Sequence, residues 1–130
     1  MILVDSTVWI DALRGTETSQ VTWLRHNLGG AYIVVGDLIL TEVLQGVSEH
    51  KTQQTEQHLL QFPIVQLGGE KIAILAAKHY RGLRSRGYTI RKTMDLLIAT
   101  WCIVNDAELL HNDRDFEPFE QHLGLQTVKT

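Results

Sequence analysis

Five carboxylates stand where a folded chain could gather them: Asp5, Glu42, Asp95, Asp113 and Asp115. Asp5 ends the apolar run Ile2-Leu3-Val4 and precedes Ser6-Thr7, either of which could cap a helix. Glu42 borders the stripe made by Ile39, Leu40, Val43, Leu44 and Val47, and Gly46 leaves space one turn further on. Asp95, in Thr93-Met94-Asp95-Leu96-Leu97-Ile98-Ala99, opens a helix so apolar on all sides that it belongs at the centre of the molecule. In Glu108-Leu109-Leu110-His111-Asn112-Asp113-Arg114-Asp115-Phe116 the arrangement around Asp5 recurs: a short apolar strand stops, acids follow and a helix begins, which Asp115 could cap. Each acid alone has an ordinary reading as a cap, a helix-dipole partner or a side chain reaching for water.

Their joint chemistry is more specific. Like charges a few ångströms apart cost several kcal/mol at an effective dielectric of about 20, so such a cluster takes up protons or cations. With no cysteine or histidine cluster beside these acids, the matching ion is a hard one that accepts oxygen ligands, Mg²⁺ above all. Two such ions about 4 Å apart would stabilise the attacking and leaving oxygens of a phosphodiester.

The elements that would position these acids follow from hydrophobic spacing. Strand-length apolar runs occur at Ile2–Val4, Tyr32–Val35, Ile64–Leu67, Leu109–Leu110 and Leu125–Val128. Helical spacing covers Thr7–Arg14, Ser19–Leu28, Leu38–Val47, His50–Phe62, Glu70–Ser85, Met94–Asn105 and Phe116–Leu123, with Gly29-Gly30, Gly68-Gly69 and Gly87 as caps or turns. Strands alternating with helices predict an α/β fold with a mostly parallel sheet of about five strands covered by helices. In such a sheet, ligands gather outside the carboxyl ends of the strands, where Asp5 and Asp113 would both lie.

A length of 130 residues without repeats, linkers or low-complexity tracts predicts a single domain over residues 1–130. The lone cysteine, Cys102, lies inside an apolar run and reads as a small core side chain, which excludes an intrachain disulfide. No stretch resembles a signal peptide or a membrane span, so a cytoplasmic protein is expected. The net charge of −3 disguises an uneven distribution, because Lys78, Arg81, Arg84, Arg86, Arg91 and Lys92 lie together with no acid among residues 78–92. With the five acids neutralised by metal, twelve bases face ten acids and the balance becomes +2, which no longer opposes a polyanionic partner. Arg84, Arg86, Arg91 and Lys92, just before Asp95, are the candidate phosphate grips. Trp9, Trp23 and Trp101 occupy apolar helical positions suited to core or dimer packing; His26, His50, His58, His79 and His122 read as scattered surface residues.

Val4-Asp5-Ser6-Thr7-Val8-Trp9-Ile10-Asp11, Glu42-Val43-Leu44-Gln45-Gly46, Asp95-Leu96-Leu97-Ile98-Ala99 and Asn112-Asp113-Arg114-Asp115-Phe116 together resemble the four acidic motifs of PIN-domain ribonucleases, and length and spacing are most similar to VapC toxins. The resemblance implies a three-layer α/β/α sandwich and an Mg²⁺- or Mn²⁺-dependent endoribonuclease that hydrolyses RNA with metal-activated water. It also implies a homodimer silenced by a cognate antitoxin protein. Carried over by position, Asp5, Glu42, Asp95 and Asp113 form the acidic site. Asp5 and Asp95 would hold the principal metal, with Asp113, Asp115 and Glu42 completing it, binding a second ion or orienting water. Family members often carry Thr or Ser where this chain has His111, which could touch substrate.

Other readings fit less well. A phosphatase of the haloacid dehalogenase type wants an acid two positions after its nucleophilic aspartate, where Thr7 stands here, and a receiver domain wants an early acidic pair and a late lysine. A noncatalytic PIN-like module that binds RNA or protein is the alternative of a different class, and the complete set of acids weighs against it.

Overall fold

Runs that are apolar at every position, rather than at alternate ones, belong to strands covered on both faces, and the computed structural model, which describes all 130 residues, places them accordingly. β1 (Ile2–Val4) and β2 (Ile33–Gly36) are wholly buried, and β4 (Glu108–Leu110) nearly so. The two-residue strands β3 (Ile64–Val65) and β5 (Gln126–Thr127) form the more exposed edges. All pairings are parallel, in the order β3-β2-β1-β4-β5. Ile2 faces Ile33 on one side and Glu108 on the other, and Val4 faces Leu110, so β1 and β4 end level.

The helices are α1 (Ser6–Arg14), α2 (Ser19–Asn27), α3 (Asp37–Gly46), α4 (Glu49–Leu59), α5 (Glu70–Ser85), α6 (Thr93–Asn105) and α7 (Glu117–Leu123). Helices α1 to α4 pack among themselves, as do α5, α6 and α7. Right-handed crossovers account for the division. From β1 to β3 the chain steps one way across the sheet and lays α1 to α4 on one face; it then crosses back to β4 and β5 and lays α5 to α7 on the other. The result is the expected α/β/α sandwich. Its 29 buried apolar side chains form one contiguous cluster, to which Trp9, Trp101 and Cys102 belong and against which Trp23 packs. No helix is long and apolar enough to cross a membrane.

Several boundaries differ from the hydrophobic pattern for local reasons. The last helix begins at Glu117 with Pro118 in its first turn, and residues Arg114–Phe116 form a separate 3₁₀ turn. Asp113, not Asp115, caps that turn: its carboxylate accepts the Asp115 N–H at 2.9 Å. Neither Ser6 nor Thr7 caps α1, because Asp5 itself holds the N-cap position. Asp37, at the start of α3, accepts from both the Leu38 and Leu67 N–H groups (2.8 and 3.1 Å), fastening the loop after β3 to the helix that carries Glu42. Gly36 is needed beside it, since a Cβ there would overlap the Leu67 side chain.

Candidate active site

The strand order reverses between β1 and β4, and the chain leaves these neighbours toward opposite faces, which opens a crevice at their carboxyl ends. The Asp5 N–H donates to the Leu110 carbonyl at 3.0 Å, fixing the two strand ends to each other. Asp5 therefore sits beside the segment that leads to Asp113. It occupies the N-cap of α1 with extended backbone, yet its carboxylate makes no capping bond to the helix. Ordinary capping does not account for it.

Asp5 is only 6 % exposed. Burial raises its pKa to about 7, helped by the charges of Asp95, Glu42 and Asp113 and opposed by a hydrogen bond from the Ser6 backbone. Asp95, in the first turn of α6 and also buried, is raised to about 6; burial again leads, Lys92 opposes, and Asp113, Asp115 and Glu42 add to the rise. Glu42, half-buried on α3, acts on both. Four separate elements thus converge on one crevice. One carboxylate oxygen each from Asp95, Asp113 and Asp115 lie within 4.8 Å of one another. Asp5 and Glu42 lie outside that group and border it electrostatically.

The donors in this triad are all carboxylate oxygens, the set preferred by a hard divalent cation. The residues therefore fit such an ion, which Asp95, Asp113 and Asp115 could hold together. Cys102 offers no alternative chemistry, because burial foremost pushes its thiol far up and keeps it protonated.

The basic stretch divides in two. Arg91 reaches Asp115 at 3.6 Å, and Lys92 occupies the N-cap of α6 beside Asp95. Arg84 is bonded to Tyr80 on its own helix, while Arg86 meets His122 near the far end of α7 from Asp115. Of the four candidates, only Arg91 and Lys92 lie against the acids. The histidines are less scattered than the sequence suggests: His79 is half-buried against Thr100 at 3.0 Å, and His122 is half-buried between Arg86 and Tyr88. Sequence reasoning missed Glu120, which bonds His111 at 3.1 Å; a pairing set by tertiary approach leaves no local pattern. A concavity of about 700 Å³ between α1 and α4 is lined by Arg14, Lys51 and His58 among others and contains none of the five acids.

A strand order reversing at a crevice ringed by acids defines a class of metal-binding α/β domains, and comparison with known proteins narrows it. The model of the PIN domain matches residues 2–120. The chain belongs to the PIN-domain family. It is 30 % identical to ribonuclease VapC11 of Mycobacterium tuberculosis over 98 % of both chains. It is 33 % identical to ribonuclease VapC1 of Methanocaldococcus jannaschii, over 96 % of this chain and 85 % of that one. Among solved structures, VapBC2 of Rickettsia felis, bound to a DNA fragment from its promoter, aligns with a TM-score of 0.71 at 22 % identity over 98 % of both chains. The FitAcB structure from Neisseria gonorrhoeae aligns at 0.72 and 18 % identity, over 99 % of this chain and 97 % of that one. At such identities the structural likeness speaks for the fold.

Proposed function

We infer that this protein, a single PIN domain spanning residues 1–130, is a divalent-metal-dependent endoribonuclease that acts as the toxin of a toxin–antitoxin pair. The observation that carries the reading is the convergence of Asp95, Asp113 and Asp115 within 4.8 Å at a crevice that also holds the buried Asp5. The ribonuclease names of relatives aligned over nearly the whole chain support the substrate class, and the complexes among its structural neighbours support an antitoxin as partner. Mg²⁺ is the ion we assign, with Mn²⁺ as a substitute of the same coordination preference.

When bound, the ion supplies Lewis-acid stabilisation of charge developing on the phosphodiester oxygens. Asp95, Asp113 and Asp115 would hold it, and the charge of Asp5 would deepen the site. Glu42, coming from the opposite helix layer, would orient the attacking water and accept its proton. Arg91 and Lys92 hold flanking phosphates as point charges at the mouth of the crevice. Because water is the nucleophile, the substrate's 2′-hydroxyl is not consumed and a 3′-hydroxyl is left.

The test is incubation of total cellular RNA with the purified protein, with Mg²⁺, with chelator, and with Asp95→Asn, followed by mapping of the ends. Metal-dependent internal cleavage that leaves 3′-hydroxyl ends and disappears in the variant is expected. Cleavage that survives chelation, or Asp95→Asn cutting at the wild-type rate, overturns the reading.

A further inference from the structure

We propose that His111 is a positioning residue: its Nδ1 holds the Asp113 backbone while its Nε2–H is anchored on Glu120, so that Asp113 and Asp115 are presented together to one cation. The proposal rests on the metal-dependent reading above and assigns a role that the acids alone do not explain.

Hydrogen-bond logic fixes the state of the ring. The Asp113 backbone N–H lies 3.1 Å from His111 Nδ1, and a backbone N–H can only donate, so Nδ1 is the bare acceptor. Nε2 then carries the hydrogen and donates it to Glu120 Oε1, also at 3.1 Å. The ring packs on Phe116, which is fully buried, with centroids 4.8 Å apart. Both nitrogens are engaged within the protein and the side chain is only 11 % exposed. No ring nitrogen is left to work on substrate.

What the ring does instead is build the turn. Asp113 Oδ1 accepts the Asp115 N–H at 2.9 Å, just as His111 Nδ1 accepts the Asp113 N–H. Two successive side-chain bonds to the second residue onward lace positions 111, 113 and 115 together. Glu120 lies on α7, so the same imidazole fastens this laced turn to the helix that follows it. A carboxylate anchor on one ring nitrogen fixes the tautomer and orientation of the other.

Two substitutions separate the halves of the role. In His111→Asn the side-chain oxygen takes the place of Nδ1 and can accept the Asp113 N–H as an Asx-turn, while the link to Glu120 is lost. In His111→Gln the amide nitrogen reaches toward Glu120 in place of Nε2, while the acceptor for Asp113 is lost. Exchange of the Asp113 amide is measured by NMR in the metal-free protein, and Mn²⁺ affinity by calorimetry. We expect His111→Gln to exchange at least about tenfold faster and to bind Mn²⁺ about tenfold more weakly, the usual cost of removing a group that orients a ligand. His111→Asn should keep the amide protected and stay within about threefold of wild-type affinity.

A His111→Gln protein that matches wild type in both measurements overturns the proposal. So does His111→Asn losing Mn²⁺ affinity as fully as His111→Gln. Should His111→Gln fail to fold, the Glu120 pair decides: Glu120→Gln still accepts from Nε2–H and should retain the affinity that Glu120→Ala loses, and equal affinities would overturn the anchor. Amide exchange is read without metal, so it decides the hydrogen-bond role even if the wild-type chain binds no Mn²⁺, a result that would sink the nuclease reading instead.

Discussion

The two rims of the crevice hold their acids by different means. On the β1 side, Asp5 is buried at a plain strand-to-helix junction, and rigidity comes from burial and one backbone bond to Leu110. On the β4 side, Asp113 and Asp115 are half-exposed, and rigidity comes from the laced turn of His111, Asp113 and Glu120. Burial makes the first carboxylate costly to ionise. A site built this way pairs two acids held by hydrogen bonds with one held by burial.

Removing an acid from each rim is the most forceful way to break that contrast. Asp113→Asn and Asp5→Asn should both lower RNA cleavage by at least about a hundredfold, since each removes charge from the cation site. Their effects on metal-free stability should diverge. At pH 8 Asp5→Asn relieves a buried carboxylate and should stabilise the protein by about 2–4 kcal/mol, while Asp113→Asn, which relieves little burial and weakens the turn, should be neutral or destabilising. Urea denaturation of both variants in chelator checks this; equal shifts would erase the distinction between the rims.

Acidity sharpens the same contrast more gently. The pKa of Asp5 rises on folding from 3.8 to about 7, so the folded state binds its proton more readily than the unfolded chain does. Its stabilising contribution is full below about pH 4 and is lost as pH climbs through 7; Asp95, raised to about 6, acts in the same direction. In chelator the melting temperature should therefore fall between pH 5 and pH 8. Added Mg²⁺ should restore it at pH 8 and have less effect at pH 5, where protons already neutralise Asp5 and Asp95. A chelated protein whose melting temperature rises over that interval would contradict the assignment.

Sequence and structure agree where the physics is local. Continuous apolar runs at Ile2–Val4 and Leu109–Leu110 suit strands covered on both faces, and Asp5 directly after the first and Asp113 three residues beyond the second fall on the ligand-binding edge of the sheet. Asp95 was legible because its helix has no polar side to expose: Leu96, Ile98, Ala99, Trp101 and Cys102 are all buried. Legibility fails where a side chain's role depends on what arrives from elsewhere. Nothing near Glu120 announces that it meets His111, and nothing near Arg86 announces His122. Composition grouped Arg84, Arg86, Arg91 and Lys92 as one patch, yet the end of α5 carries two of them away from the acids while the loop returns the other two. Asp37 and Gly36, which set the position of α3, carry no sequence signature of the Leu67 contact that requires them.

The division of the basic stretch leads to the smallest of the expected effects. The Arg91–Asp115 pair spans 3.6 Å with Arg91 78 % exposed, so it contributes little to stability and leaves the guanidinium free to exchange the carboxylate for a phosphate. Once a cation engages Asp115, that exchange is favoured further. Arg91→Ala should weaken RNA binding severalfold, measured with Ca²⁺ in place of Mg²⁺ to suppress cleavage, and reduce the slope of log affinity against log salt by about one. Arg86→Ala, which removes a side chain already committed to His122, should leave that slope within error of wild type. Equal slopes for the two variants would mean that the RNA path runs along α5 as well as across the crevice, and the contrast between the rims would then say nothing about where substrate lies.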